Sequence, residues 1–233
     1  MTTILALESS GSACSVALQR RHRIFQRQSF TPRSHTRLLL PMVEEVLSEA
    51  QVSLAEMDAL AFSSGPGSFT GLRIAFGMVQ GLAFSRNIPV IPVPTLEALA
   101  QTACQHFALN VGDRILPALD ARKDEIYWGC YRLGEGGLLH EEQCNVVSAA
   151  SNIAVAGDIA VGLGDGWLYA DRIAVQPEQV AADVALTATA VLTLAQRRFE
   201  AGLAQPAHEA ELVYIRDEVA WQKRERLAPP AER

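Results

Sequence analysis

Residues 63–77, SSGPGSFTGLRIAFG, have the composition of a phosphate-binding loop. Glycines and hydroxyl side chains precede an apolar segment, and the free N–H groups at the start of a helix attract anions. In a P-loop, G-x-x-x-x-G-K-[ST], lysine follows the second glycine, whereas here Gly65 and Gly71 are one residue too far apart and Leu72 follows. The dinucleotide-binding spacing G-x-G-x-x-G also fails, because Gly67 and Gly71 are separated by one residue too many. Neither nucleotide motif is therefore present.

The same residues are typical of a structural turn that starts a helix. Gly65, Pro66 and Gly67 suit a tight turn, and Ser68 is a favoured N-cap residue. We therefore predict that this turn sets the direction of the helix that follows, and that it holds no catalytic phosphate.

The predicted helix after the turn is apolar on nearly every side, which requires that it be buried nearly all round. A single sheet covers only one face of such a helix. Gly71 and Ala75 lie four residues apart, as do Gly77 and Gly81, and small residues at this spacing let another helix approach closely. The helix is therefore either a core helix of its own lobe or a helix that is shared with a second protein.

Strands and helices alternate around this segment in the first half of the chain. Residues 4–7 and 14–18 are predicted to form a hairpin, and residues 58–64 and 90–93 two further buried strands. Residues 34–50 are predicted to form a helix, in which Pro41 marks a kink or a second start. The apolar stripe of that helix has the i, i+3, i+4 spacing and consists of Leu39, Met42, Val43, Val46, Leu47 and Ala50.

The pattern restarts around residues 110–112. Residues 114–133 are predicted to form a strand, a turn at Arg122–Asp124 and a second strand, followed by further strands near 140–147 and 160–163. Residues 178–202 are predicted to form one long helix. The repeated order of elements indicates two α/β lobes, residues 1–110 and 111–233.

The composition restricts the classes of protein to which the chain can belong. It has 233 residues, of which 49% are hydrophobic, and a formal net charge of -6. Such an acidic chain is a poor nucleic-acid binder by itself, and its only dense basic run, Lys223, Arg224 and Arg226, is short. The four cysteines have no CxxC or zinc spacing, and there is no signal peptide and no membrane-spanning run. These features predict a cytoplasmic protein with reduced thiols and no membrane association.

Five segments taken together resemble the TsaB (YeaZ) family, whose members are bacterial subunits needed for the threonylcarbamoyl modification of tRNA adenosine. The segments are ILALESSGSACSVAL, SHTRLLLPMV, GPGSFTGLRIAFGMVQGLA, ALDARKDEIYWGCY and VYIRDEVAW. The resemblance implies an α/β, two-lobed actin/sugar-kinase-like ATPase (ASKHA) fold. That implication agrees with the restart of the pattern near residue 110.

The resemblance also implies a non-catalytic scaffold or activator with no cofactor of its own. Such a subunit pairs with the homologous subunit TsaD, which carries the metal and modifies tRNA, and the ATPase TsaE joins them. The first-lobe helices form the dimer surface in this family, so we expect a four-helix packing, a homodimer when the chain is alone, and tRNA contact only through the complex. The interface residues expected on these helices are Leu39, Leu40, Val43, Gly71, Ala75 and Met78.

A small-molecule kinase or ATPase of the same fold is one alternative. In an active member, an acid in the first hairpin helps organise phosphate and magnesium, and this chain has Glu8 there. Asp120 ends a second-lobe strand and could act as a base. Arg122 and Lys123, however, replace the glycines that let a backbone wrap phosphate. Glu8 is otherwise a solvated or capping carboxylate, and Asp120 a turn or salt-bridge residue.

A metallopeptidase-like (glycoprotease) enzyme is the second alternative. The catalytic homologue holds its metal with two histidines four residues apart on one helix face, a spacing that brings both imidazoles to one ion. No two of the five histidines have that spacing, so no metal site is predicted; they are His22, His35, His106, His140 and His208.

Overall fold

A computed structural model describes residues 2–216, in which two five-stranded sheets have the same strand order. The first sheet, ordered β3-β2-β1-β4-β5, contains β1 (Thr3–Glu8), β2 (Cys14–Arg20), β3 (Arg23–Ser29), β4 (Ala59–Gly65) and β5 (Val90–Pro94). The second, ordered β8-β7-β6-β9-β10, contains β6 (Arg114–Arg122), β7 (Glu125–Leu133), β8 (Leu139–Ala149), β9 (Val161–Leu163) and β10 (Gln179–Ala181).

The strand directions are duplicated as well. In each sheet the first three strands in chain order form antiparallel pairs. The fourth strand pairs parallel with the first, and the fifth pairs parallel with the fourth. Two related lobes are what the actin/sugar-kinase-like ATPase fold requires, and this predicted fold is confirmed.

Four α-helices complete the layers around the sheets. They are α1 (His35–Ala50), α2 (Phe69–Arg86), α3 (Thr95–His106) and α4 (Ala188–Glu200). Helices α1 and α2 cover one face of the first sheet, and α3 and α4 lie between the two sheets. The outer face of the second sheet packs against 3-10 turns at Ala150–Asn152 and Asp165–Arg172.

Strand β1 sorts its side chains between two of these layers. Leu5 and Leu7 point toward α1 and α2, whereas Ile4 and Ala6 point toward α3 and α4, because successive side chains of a strand alternate between its faces. All four are buried, so β1 is a central strand of the core.

Two predicted elements differ from the structure. Helix α1 runs as one helix through Pro41, so of the two alternatives, a kink or a second start, the second start is wrong. The predicted long helix over residues 178–202 is wrong, because residues 179–181 form β10 and only Ala188–Glu200 is helical. The physical reason is a long-range contact: Val180 pairs with Gly162 of β9 in the sheet, which local apolar spacing does not reveal.

The C-terminal part of the described chain returns to the first sheet. Gln205 exchanges backbone hydrogen bonds of 2.7 and 2.9 Å with Val90 of β5, and the Val213 N–H donates to the Ser64 carbonyl at 2.7 Å. Helix α4 also packs on this sheet. Since residues from the second half complete the first sheet, the division into lobes at residue 110 stays a prediction.

Within residues 2–216, no helix is long and apolar enough to cross a membrane. The basic run Lys223, Arg224 and Arg226, as well as part of the VYIRDEVAW segment, lies outside the described residues.

Candidate functional site

The turn before α2 has the predicted N-cap. The Ser68 hydroxyl accepts a hydrogen bond from the Gly71 N–H at 3.3 Å, and the Ser68 N–H donates to the Ser10 carbonyl at 2.7 Å. The start of α2 is therefore fixed against the turn of the first hairpin.

Two positions in residues 63–77 must be glycine, because another part of the backbone lies too close to leave room for a side chain. Gly65 has a φ of +117°, and a Cβ there would overlap the carbonyl oxygen of Val213. A Cβ on Gly71 would overlap the carbonyl oxygen of Ser9. The glycines that suggest a phosphate loop thus make room for the chain's own carbonyl groups.

Glu8 lies at the end of β1, beneath this turn, and is completely buried. Ser10 donates to one carboxylate oxygen from both its N–H and its hydroxyl, each at 2.5 Å, and the Ser63 hydroxyl donates to the other oxygen. The alternative of a solvated carboxylate is therefore wrong, because Glu8 has exchanged water for three donors of its own chain.

Burial raises the pKa of the Glu8 carboxyl above its usual value, and the hydrogen bonds from Ser10 and Ser63 oppose that shift. The same carboxylate contributes to the elevated pKa of the neighbouring Cys14 thiol, about 11, for which burial is the main cause. In this conformation Glu8 is closed to a phosphate or a metal ion, and the residues present do not fit either group there.

Asp120, in β6, is held by the hairpin that follows it. Its carboxylate accepts a 2.8 Å hydrogen bond from the Arg122 N–H and forms a 3.3 Å ion pair with the Arg122 guanidinium. Arg122, Lys123 and Asp124 all have φ near +60°, which is the geometry of a tight hairpin turn. These contacts support the interpretation of Asp120 as a turn or salt-bridge residue.

Asp165 is a neighbouring acid that the sequence interpretation did not single out. It accepts a 2.9 Å hydrogen bond from the Asp120 N–H. Burial raises the pKa of the Asp165 carboxyl, this hydrogen bond opposes the shift, and repulsion from the Asp120 carboxylate adds to it. The signal that could have found it is an acid between two glycines, Gly164 and Gly166, directly after a short strand. No hydrogen bond or ion pair joins Glu8 to Asp120 within the described residues, and no group of three metal-ligating side chains is found there.

The six residues predicted for the partner interface do not share an open face. Leu39, Val43, Gly71 and Ala75 are buried in the chain's own core, so the expectation that they face a second subunit is wrong for these four. The physical reason is that α1 and α2 use this side to cover the sheet. Leu40 is exposed and Met78 is half-buried, so these two are reachable.

The side of α2 that faces solvent is instead formed by residues that the interface prediction missed. Phe69, Arg73, Gly77 and Gly81 are exposed at four-residue spacing, and Phe84 is 89% exposed. A Cβ at Gly77 or Gly81 would meet no atom within 4 Å. We call these five residues the α2 outer face. Aromatic rings lie at its two ends, and the glycines between them leave a gap in the helix surface.

Comparison with known proteins places the chain in a family. The family model for TsaD, tRNA N6-adenosine threonylcarbamoyltransferase, matches residues 28–163. A Haemophilus influenzae protein, tRNA threonylcarbamoyladenosine biosynthesis protein TsaB, is 36% identical over 95% of this chain and 96% of its own length. The protein of that name from Escherichia coli is 37% identical over 94% of this chain and 97% of its own length.

Solved structures agree with these relatives. YeaZ from Pseudomonas aeruginosa superposes with a TM-score of 0.85 at 40% identity, covering 92% of this chain and all of that one. A second Pseudomonas aeruginosa structure, described as an uncharacterized protein with similarity to peptidase YEAZ, gives a TM-score of 0.87 at 41% identity over 93% of this chain. The chain belongs to the TsaB (YeaZ) family.

Proposed function

We propose that the chain takes part in tRNA threonylcarbamoyladenosine biosynthesis as a non-catalytic subunit that binds TsaD. The biosynthetic role is taken from the names of the TsaB relatives, which match nearly the whole chain. The observation that carries the proposed binding role is the α2 outer face, whose exposed aromatic rings and glycines the chain leaves uncovered within its described residues.

The shape of this face suits a second helix. Residues four apart form ridges on a helix, and the absence of side chains at Gly77 and Gly81 opens a gap in that ridge. A partner helix can approach the backbone there, between the rings of Phe69 and Phe84. Helix α1 packs beside α2 and exposes Leu40, so two helices from each subunit could take part in the contact.

The absence of a catalytic role is supported by the closed surroundings of Glu8. A group that is completely buried and bonded to Ser10 and Ser63 is not open to substrate. Asp120 lies at a tight hairpin turn, where its carboxylate pairs with Arg122. We propose that the subunit acts by stabilising TsaD, with TsaE joining the pair, and that it forms a homodimer through the same face when TsaD is absent.

The decisive variant for this proposal is Gly81→Arg. An arginine there projects into open space, and it replaces glycine in a helix, so the isolated chain should lose no stability. At the centre of a helix pair, the same side chain should abolish TsaD binding, because burying an unpaired charge costs several kcal/mol. Binding of purified TsaD from the same organism is measured by biolayer interferometry, and folding by a circular-dichroism melt.

Ala201→Arg is the matched control. It adds the same side chain at an exposed position after α4, on the other side of the first sheet from α2. The proposal predicts wild-type affinity for Ala201→Arg and none for Gly81→Arg. Wild-type affinity of Gly81→Arg for TsaD would show that α2 is not the interface.

The kinase or ATPase alternative is tested with the purified chain and ATP. We expect no steady turnover. Turnover that is abolished by Asp120→Ala would establish the enzyme class instead.

A further inference from the structure

The first turn of α2 carries a stacked cluster on the protein surface. The Arg73 guanidinium lies over the Phe69 ring, 3.3 Å from its centroid, and 5.0 Å from the centroid of the Tyr214 ring. The two rings are themselves 6.0 Å apart. All three side chains are exposed, so the cluster is ordered by its own contacts and not by burial.

Tyr214 reaches this cluster from the far end of the described chain and is fixed on both sides. Immediately before it, the Val213 N–H donates to the Ser64 carbonyl of β4 at 2.7 Å. Two residues after it, the Arg216 guanidinium pairs with the Glu125 carboxylate of β7. The Tyr214 ring is therefore held beside α2 by attachments to both sheets.

Among the described residues, no carboxylate orients Arg73. Seven arginines of the described chain pair with an acidic side chain: Arg27, Arg114, Arg122, Arg132, Arg172, Arg198 and Arg216. Within residues 2–216, Arg73 has no ion pair, and its one hydrogen bond is a long one of 3.3 Å to the Phe69 carbonyl. Helix α2 contains no Asp or Glu that could supply one.

We propose that Phe69, Arg73 and Tyr214 form a receptor for a carboxylate side chain of the partner protein. A guanidinium holds a carboxylate best through two parallel N–H donors, and stacking on a ring fixes the plane of those donors beforehand. The receptor is continuous with the α2 outer face, since Phe69 and Arg73 belong to it. The inference rests on the proposed function and adds the chemistry that the partner must present at one end of the helix pair.

A protein carboxylate fits this receptor better than a nucleic-acid phosphate. The cluster offers one guanidinium, whereas affinity for a phosphate backbone comes from several cations together, and the chain carries a net charge of -6. Once a partner covers the cluster, the aromatic rings exclude water from the guanidinium, and a single charged hydrogen-bonded pair is stronger there than in water.

The test compares two arginines of α2 in the full chain. Arg73→Gln removes the stacked guanidinium and should weaken binding to TsaD at least about tenfold, which is the lower limit for a close charged interface pair. Arg86→Gln makes the same change in the last turn, where no ring of the described chain stacks on the guanidinium, and should leave the affinity unchanged. Arg73→Lys keeps the charge but loses the planar pair of N–H donors, so its affinity for TsaD should lie between those of Arg73→Gln and Arg86→Gln.

The remaining outcomes identify the occupant. Equal affinities of Arg73→Gln and Arg86→Gln, with wild-type binding intact and both variants folded, would overturn this inference and leave the proposed function standing. It would also be overturned if Asp217→Asn with Glu218→Gln reproduced the loss, since the carboxylate would then come from this chain. If Arg73→Gln weakens only the retention of tRNA by the complex, the receptor binds a nucleic-acid phosphate, and the inference is overturned. If it weakens only self-association, the receptor binds a second copy of this chain, and the inference is overturned as well. If wild-type chain does not bind TsaD, the proposed function itself fails.

Discussion

A buried acid and three glycines explain why residues 63–77 and their surroundings look like a phosphate site. Glu8 is surrounded by its own chain, Gly65 and Gly71 are required by close carbonyl oxygens, and Gly77 faces open space. Residues that look like parts of one phosphate site are therefore explained by three separate features of the packing.

The pH dependence of stability should report the burial of Glu8. Its pKa is raised in the folded protein, so folding favours the protonated form, and this contribution to stability is lost as pH rises from 4.5 through the raised pKa. Glu8→Gln keeps a neutral side chain at every pH. We expect the melting temperature of the variant to gain on wild type as pH is raised across this window.

Glu44→Gln is the matched control for that series, because Glu44 is exposed on α1. Thermal melts followed by circular dichroism at a set of pH values provide the measurement. A melting temperature of Glu8→Gln that falls relative to wild type, or stays at a constant distance from it, as pH rises would contradict the burial argument.

Two glycines of α2 should respond in opposite ways to the same substitution. Gly71→Ala forces a Cβ into the Ser9 carbonyl oxygen and should lower the free energy of unfolding by more than about 2 kcal/mol. Gly77→Ala meets no atom and should raise it by about 0.5–1 kcal/mol, since alanine loses less entropy in a helix. Urea denaturation of both variants measures the difference, and equal effects would mean that the close approach at Gly71 is relaxed in solution.

Among the elements, helix α4 is bound to the first sheet by an unusual cap. Its N-cap residue Thr187 makes no capping hydrogen bond, and the Ala188 N–H donates instead to the Ser15 hydroxyl of β2 at 2.8 Å. The cap thus also attaches a second-half helix to a first-half strand.

Removal of this hydroxyl should cost about as much as loss of an ordinary N-cap. Ser15→Ala is expected to lower the free energy of unfolding by about 1 kcal/mol, because it leaves a buried N–H unpaired. Ser48→Ala, at an exposed position of α1, should cost nothing. The two are compared by denaturant unfolding, and an equal effect would show that the Ser15 contact contributes no stability.

Most elements could be predicted from local patterns, whereas their far contacts could not. The short apolar run in β1 and the apolar spacing in α1 are properties of neighbouring residues, and both predictions hold. Strand β10 exists because it pairs with β9, which no local spacing encodes. The interface prediction erred for the same reason: an apolar helix such as α2 does not reveal which of its sides the sheet covers, and Ala75 turned out to face inward.

For the molecule as a whole, charge sets the expectation for tRNA. With a net charge of -6, the isolated chain can release few counterions from a phosphate backbone. We expect no gel shift of tRNA by sub-micromolar protein at physiological salt, and a shift when TsaD is added. A complex formed by the chain alone would contradict this prediction.

The returning C-terminal segment has a consequence for how the protein is made. The hydrogen-bond partner of the Ser15 hydroxyl lies 173 residues further along the chain, in helix α4. The backbone groups of Val90 and Ser64 bond to those of residues 205 and 213. Ribosomes deliver a chain from its N-terminal end, so the first sheet stays open on one face and one edge until nearly all residues have left the exit tunnel. Tyr214, which lies beside Phe69 and Arg73 on α2, is therefore among the last of the described residues to reach its place, and a chain still being made lacks that part of the proposed interface.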